Sequence, residues 1–119
     1  MTRPSRRYAE RMPERQLQQA VADMCSWLGL YHYHPRNSAG SAAGWPDSVI
    51  VGTRVIFAEL KAQAGRLSPE QRAVGERLKA AGADWRVWRP GDWISGAIER
   101  ELRLLRPTPT LPFPTQPKE

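Results

Sequence analysis

Leu17, Val21, Met24 and Leu28, with Ala20 alongside, repeat at the spacing of one helix face, so residues 13–28 are expected to form an amphipathic helix that Gly29 ends. Tyr31-His32-Tyr33-His34 then alternates as a strand does, and Pro35 stops it. Val49 to Val51 and Val55 to Leu60 are apolar, β-branched runs separated by Gly52-Thr53, the pattern of a β-hairpin. Ser68 fits an N-cap, Pro69 a first helical position and Gln71 the third. That capping box opens a second helix, which runs through Val74 and Leu78 to Gly82. Trp85 to Arg89 alternates bulky apolar and basic residues, as a strand with one covered face would. After the Pro90-Gly91 turn, Asp92 is placed to cap a last helix with a stripe of Ile94, Ala97, Ile98, Leu102 and Leu105. Pro107, Pro109, Pro112, Pro114 and Pro117 allow neither helix nor central strand beyond it.

The order is helix, three strands, helix, strand, helix. A helix between Lys61 and Trp85 is a crossover, so its two strands can be parallel while the hairpin is antiparallel. An α/β fold with a mixed central sheet flanked by helices is expected over residues 13–105. A basic arm at 1–12 would precede it and a Pro-rich extended tail at 106–119 would follow. Cys25 and Trp27 are assigned to packing or partial burial, and the Trp residues of 85–89 to the core.

At 119 residues the chain supports one domain with a modest core. Its net charge of +6 favours a polyanionic partner, most simply nucleic acid, the alternative being a solvated basic surface. Of the 18 cations, 15 are arginine, which suits bidentate phosphate contacts or reflects the base composition of the source. The single cysteine, Cys25, excludes an internal disulfide and a Cys-based zinc site. No apolar run approaches membrane-spanning length, so a soluble, intracellular protein is expected.

Candidate chemistry gathers around the hairpin. Asp47 sits where its first strand begins, and Glu59 and Lys61 near the end of its second. Alternation puts Glu59 and Lys61 on one face, roughly 7 Å apart along the chain. With the turn at Gly52-Thr53, Asp47 lies across from the region of Glu59. Two carboxylates at the mouth of an apolar sheet are unfavourable unless compensated. Oxygen-only ligation points to Mg²⁺, with Mn²⁺ as a substitute. Lys61 beside two carboxylates is favoured in its charged form, so it is expected to position water and offset charge rather than act as a base. His32 and His34 share a face, but two ligands make a poor zinc site. Their alternatives are ordinary strand positions or a phosphate contact. Residues 36–44 read as a small, polar loop beside Asp47. Arg36 and Asn37 there either grip a phosphate or belong to a plain connector. Arg3, Arg6, Arg7 and Arg11 either track phosphates or form a solvated terminus.

Pro46-Asp47, eleven residues, then Glu59-Leu60-Lys61 resembles the PD-(D/E)XK motif of the restriction-endonuclease-like nucleases. Gly-Trp-Pro-Asp at 44–47, Glu-Leu-Lys at 59–61 and Leu-Ser-Pro-Glu-Gln at 67–71, in that order, resemble the VRR-NUC, or virus-type replication-repair nuclease, domain over roughly residues 10 to 93. The resemblance implies a restriction-endonuclease-like αβββαβ core plus a C-terminal helix. It implies that Asp47, Glu59 and the backbone carbonyl of Leu60 hold Mg²⁺. The first helix would contribute Glu14, or else Glu10, although acids also favour a first turn electrostatically. Gln71 would gain a catalytic role if it points inward rather than back onto its own cap. Candidate DNA contacts are Arg7, Arg11, Arg36, Asn37, Arg66 and Ser68. The implied activity is Mg-dependent structure-specific DNA endonuclease action in repair or recombination. The first choice is a homodimeric, phage-type resolvase of four-way (Holliday) junctions. The alternatives are a nuclease subunit for other branched or single-stranded DNA, or a catalytically silent DNA-binding module. The tail would serve as a linker or as a peptide ligand for a replication or repair partner.

Overall fold

The structure, a computed structural model, describes residues 3–35 and 42–106. Along them run α1 (Arg3–Arg11), α2 (Glu14–Trp27), β1 (Tyr31–Tyr33), β2 (Ser48–Val51), β3 (Val55–Leu60), α3 (Pro69–Ala80), β4 (Asp84–Trp88), α4 (Pro90–Ile94) and α5 (Ala97–Leu104). The sheet order is β1-β2-β3-β4. β1, β2 and β3 are antiparallel neighbours, and β4 pairs parallel with β3 across the α3 crossover. The result is a compact α/β domain with a four-stranded mixed sheet flanked by helices.

Strand alternation sorts the sheet into two faces. Ile50, Ile56, Ala58, Leu60 and Trp88 join Leu17, Val21, Cys25 and Leu28 of the α2 segment and Ile98, Leu102 and Leu105 at α5 in one buried core. Each fully buried Leu or Ile there contributes about 1.5–3 kcal/mol. Phe57, Glu59, Trp85 and Val87 alternate to the other face, where α3 lies. Its Gly75 has the Trp85 indole where a Cβ would stand, so helix and sheet meet without a gap. Arg54, Asp84, Arg86 and Glu101 form an ion-pair network tying the loop between β2 and β3, and β4, to α5. Cys25 is buried, and burial pushes its thiol up to about 12, so it packs and does not react.

Four expectations are corrected. The described part of the N-terminal arm is the helix α1, and Ala9 and Met12 are buried. Its apolar side docks against α4, which makes it part of the domain. Cys25 rather than Met24 fills the buried stripe of α2; a four-residue step from Val21 stays closer to the face than three. Trp27 is 81% exposed, because it sits about 200° around the helix from Cys25. The last helix is two helices, broken at Ser95-Gly96. Asp92 serves α4 from its third position, accepting from the Arg89 N–H at 2.9 Å. Apolar spacing that stays in step across the break hid it. Among the described residues no helix is long and apolar enough to cross a membrane. Arg36, Asn37 and the tail from Pro107 lie outside the described residues.

Candidate active site

The hairpin register decides where the acids go. Ser48 pairs with Ala58, so Asp47 and Glu59 are the next opposed positions and share the α3 face. The Leu60 N–H donates to Asp47 Oδ2 at 3.0 Å, which fixes the Asp47 carboxylate on the end of β3. Glu59 is 2% exposed. Its Oε2 accepts from Gln71 Nε2 at 2.9 Å, and its Oε1 is buried with no hydrogen-bond partner. Burial, then the side-chain contact with Asp47 and the charge of Asp47, push the Glu59 carboxyl up to about 8, with Lys61 opposing.

A buried carboxylate set against a second, half-buried one favours a proton or a cation between them. The buried, unpartnered Glu59 Oε1 is therefore an observation that fits a hard divalent ion, as does the all-oxygen donor set. Among the described residues no three His, Cys, Asp or Glu side chains are grouped as a metal cage. Glu14 comes from the first turn of α2 and is half-buried. Burial and then the charge of Asp47 raise its carboxyl, and Lys61 lowers it. Its Oε2 accepts from Gln18 Nε2 at 3.3 Å. Asp47, Glu59, Lys61 and Glu14 are thus brought together, and Glu10 is exposed.

A polar cleft of about 580 Å³ opens over Asp47, Glu14 and Gln71. Its wall includes Gly44, Trp45 and Pro46. Gly44 has φ +84, and a Cβ there would lie 2.4 Å from the Glu70 carbonyl carbon and oxygen. The loop is thereby pressed onto the start of α3 at a position only glycine fits. The Lys61 side is braced from below. Arg89 Nη1 donates to the carbonyls of Ala62 at 2.9 Å and Gly65 at 2.6 Å, and Gln63 Oε1 accepts from the Gly91 N–H at 2.8 Å.

The histidines do not converge. His32 hydrogen-bonds Ser48 Oγ through Nε2 at 3.0 Å, and burial, then the charge of His34, lower its pKa. His34 Nδ1 donates to the Asp47 carbonyl at 2.6 Å, because a carbonyl can only accept. Arg7, Arg11 and Arg66 are exposed, and none of them lines the cleft. Ser68 is engaged as the α3 N-cap through Oγ.

Gln18, His34, Trp45 and Arg89 belong to the site or its support. Gln18 and Arg89 were not singled out from sequence, Trp45 entered only as part of Gly-Trp-Pro-Asp, and His34 only as a strand position or a phosphate contact. Gln18 carried a signal, four residues after Glu14 on a helix. The other three depend on where loops pack, which no periodicity encodes. The chain matches no family model and no curated protein.

Proposed function

We propose that the chain is a metal-dependent nuclease of restriction-endonuclease-like, VRR-NUC type that hydrolyses phosphodiester bonds in branched DNA. One observation carries this reading. Asp47 and Glu59 are held carboxyl to carboxyl beneath a polar cleft, Glu59 Oε1 is buried without a partner, and Lys61 is close enough to act on both glutamates electrostatically. A module that only bound DNA would gain nothing from a half-buried Asp47 set against a buried Glu59, since carboxylates repel phosphate. The sequence α2, β1, β2, β3, α3, β4 supports the αβββαβ core that the resemblance implies.

Asp47, Glu59 and the Leu60 carbonyl, with Glu14 directly or through water, are the oxygens that would hold Mg²⁺ or Mn²⁺, which when bound polarises the phosphate and lowers the pKa of the attacking water. The chain's own groups supply the rest. The Leu60 N–H keeps Asp47 aimed, and Gln71 keeps Glu59 from turning away. Lys61 offsets charge growing on the phosphorus oxygens and orients the attacking water.

A four-way junction is the first substrate, cut by two sites in a symmetric dimer. The exposed side chains of Trp27 and Leu104 offer apolar surface for that contact. The test is a panel of labelled junction, flap, duplex and single-stranded DNAs, with Mg²⁺ or EDTA, for wild type and Asp47→Ala. Wild type should cut only with Mg²⁺, with the junction preferred, and Asp47→Ala should be slower by about a hundredfold or more. Equal rates for the two proteins remove the enzyme reading, and a preference for the matching RNA strand moves it to RNA.

A further inference from the structure

Resting on the nuclease reading, we infer that Trp45 is a stacking platform for an unpaired nucleobase, so that the DNA cut here carries a base out of its stack beside the scissile phosphate. Trp45 lines the polar cleft two residues before Asp47. It is 39% exposed.

Its neighbours hold it rigidly. Gly44 is wedged against the backbone of Glu70 and Gln71, Pro46 follows with its fixed φ, and the Trp45 backbone N–H donates to the Ala42 carbonyl at 3.3 Å, so the main chain that carries the ring is fixed. The ring meets Phe57 at right angles, with centroids 5.9 Å apart and an interplanar angle of 86°. Phe57 anchors the indole and leaves part of it in the cleft.

An immobilised aromatic beside a phosphate-binding centre loses little entropy when a base stacks on it, and such stacking tolerates any base. In continuous duplex each base is already stacked on its neighbours and must be pulled out at a cost of a few kcal/mol. At a branch point or in a single strand the face is free. The two-residue separation from Asp47 assigns the stacked base to the nucleotide at the cut or next to it.

Binding read in EDTA separates this inference from the nuclease reading, since stacking can be absent while Mg-dependent cutting persists, and the reverse. Wild type, Trp45→Leu and Trp45→Phe are titrated with a single strand carrying 2-aminopurine at successive positions, and with the uninterrupted duplex. Wild type should quench the probe at one position, and Trp45→Phe should keep most of the affinity. Trp45→Leu should lose roughly tenfold or more on the single strand, with duplex binding within about twofold. Removing the base at the quenched position should weaken wild type by a similar factor and leave Trp45→Leu unaffected. Equal losses on both DNAs, or the same abasic penalty in wild type and Trp45→Leu, overturn the inference. If Trp45→Leu does not fold, the abasic scan on wild type decides: one sensitive position supports the platform, and uniform insensitivity overturns it.

Discussion

Gln71 and Glu59 are joined by a hydrogen bond of 2.9 Å from Nε2 to Oε2, and the same side chain accepts from the Ser68 N–H through Oε1 at 2.8 Å. The cap and the inward reach, which looked mutually exclusive for one side chain, use opposite ends of one amide. The orientation is forced, because an N–H donor at Ser68 requires the oxygen there and leaves the NH₂ for the carboxylate. The start of α3 and the acid pair are therefore one unit.

Replacing Gln71 should reveal that unit. Gln71→Ala removes half of the capping box and leaves Glu59 Oε2 buried without its donor, for a combined loss of about 2 kcal/mol, read as a lower urea midpoint. Gln71→Glu keeps an acceptor for the Ser68 N–H but sets a third carboxylate against Glu59. Cutting should fall in both variants. If Gln71→Ala unfolds as wild type does, the two-ended bond is not made in solution.

A pH series should show the buried acid. Glu59 moves from an ordinary 4.5 to about 8 in the folded chain, so the folded state holds this proton more tightly than the unfolded one. The stability it brings is full below 4.5 and is lost as pH rises through about 8, at no more than about 1.4 kcal/mol per pH unit. In EDTA the urea midpoint should therefore fall across that window. Glu59→Gln should flatten most of the slope, with a smaller part left to Glu14, which is raised in the same direction. Divalent ion must displace the Glu59 proton, so Mg²⁺ binding should release protons near pH 7 and almost none near pH 9. Calorimetry in buffers of different ionisation enthalpy measures this directly.

How far the residues announced this site can be seen one by one. Asp47 and Glu59 were legible only in part. The apolar runs at 49–51 and 55–60 mark the hairpin, but its loop is Gly52-Thr53-Arg54, with Val51 paired to Val55. A two-residue turn at Gly52-Thr53 would have set Asp47 opposite Ala58 and on the other face from Glu59. Ser68 and Gln71 were legible as a cap for a local reason. The bond from Gln71 to Glu59 was not, since it needs the distance between α3 and β3, a tertiary quantity. Trp45 and His34 owe their positions to loop packing on α3 and on Asp47. The break between α4 and α5 was masked because its apolar residues fall in step across Ser95-Gly96. The docking of α1 was masked because six of its nine residues are charged or polar enough to read as a solvated arm.

Gly44→Ala should damage the site through the backbone. Besides the unfavourable φ of +84, its Cβ would meet backbone atoms of Glu70 and Gln71, which cannot rotate aside. Gly82 has φ +88 but nothing within 4 Å, so Gly82→Ala isolates the conformational part, about 1–2 kcal/mol. Gly44→Ala should cost clearly more by chemical denaturation and should also weaken Mg²⁺ binding, because the loop it displaces carries Asp47. Equal losses in the two variants would mean the loop does not press on α3.

Asp84 should matter on the acid side. The hydrogen bond from Arg86 comes first among the causes that hold its carboxyl below 3.8, against a burial that opposes it, and Arg54 adds to it. A depressed value gives stability that is present above 3.8 and lost as pH falls below it. The carboxylate is about a quarter exposed and Arg54 more so, so solvent screening limits the network to about 1 kcal/mol. Asp84→Asn should lower the urea midpoint near pH 7, less so at high salt, and the difference from wild type should close near pH 3.

Arg89 is the support whose loss should separate stability from chemistry. Its guanidinium reaches the carbonyls of Ala62 and Gly65 and so holds the turn that follows Lys61, while its own backbone N–H is used by Asp92 at the start of α4. An ammonium is a single-point donor on a differently shaped stem and does not reproduce that planar reach. Arg89→Lys should cost about 1 kcal/mol, the worth of one hydrogen bond to a charged donor partly retained. Amides of residues 62–66 should exchange faster with solvent, while those of β3 and β4 keep their protection. Cutting should slow more than DNA binding weakens, because Lys61 loses its aim while the acid pair and Gln71 stay in place. If the exchange rates at 62–66 are unchanged, the brace is dispensable.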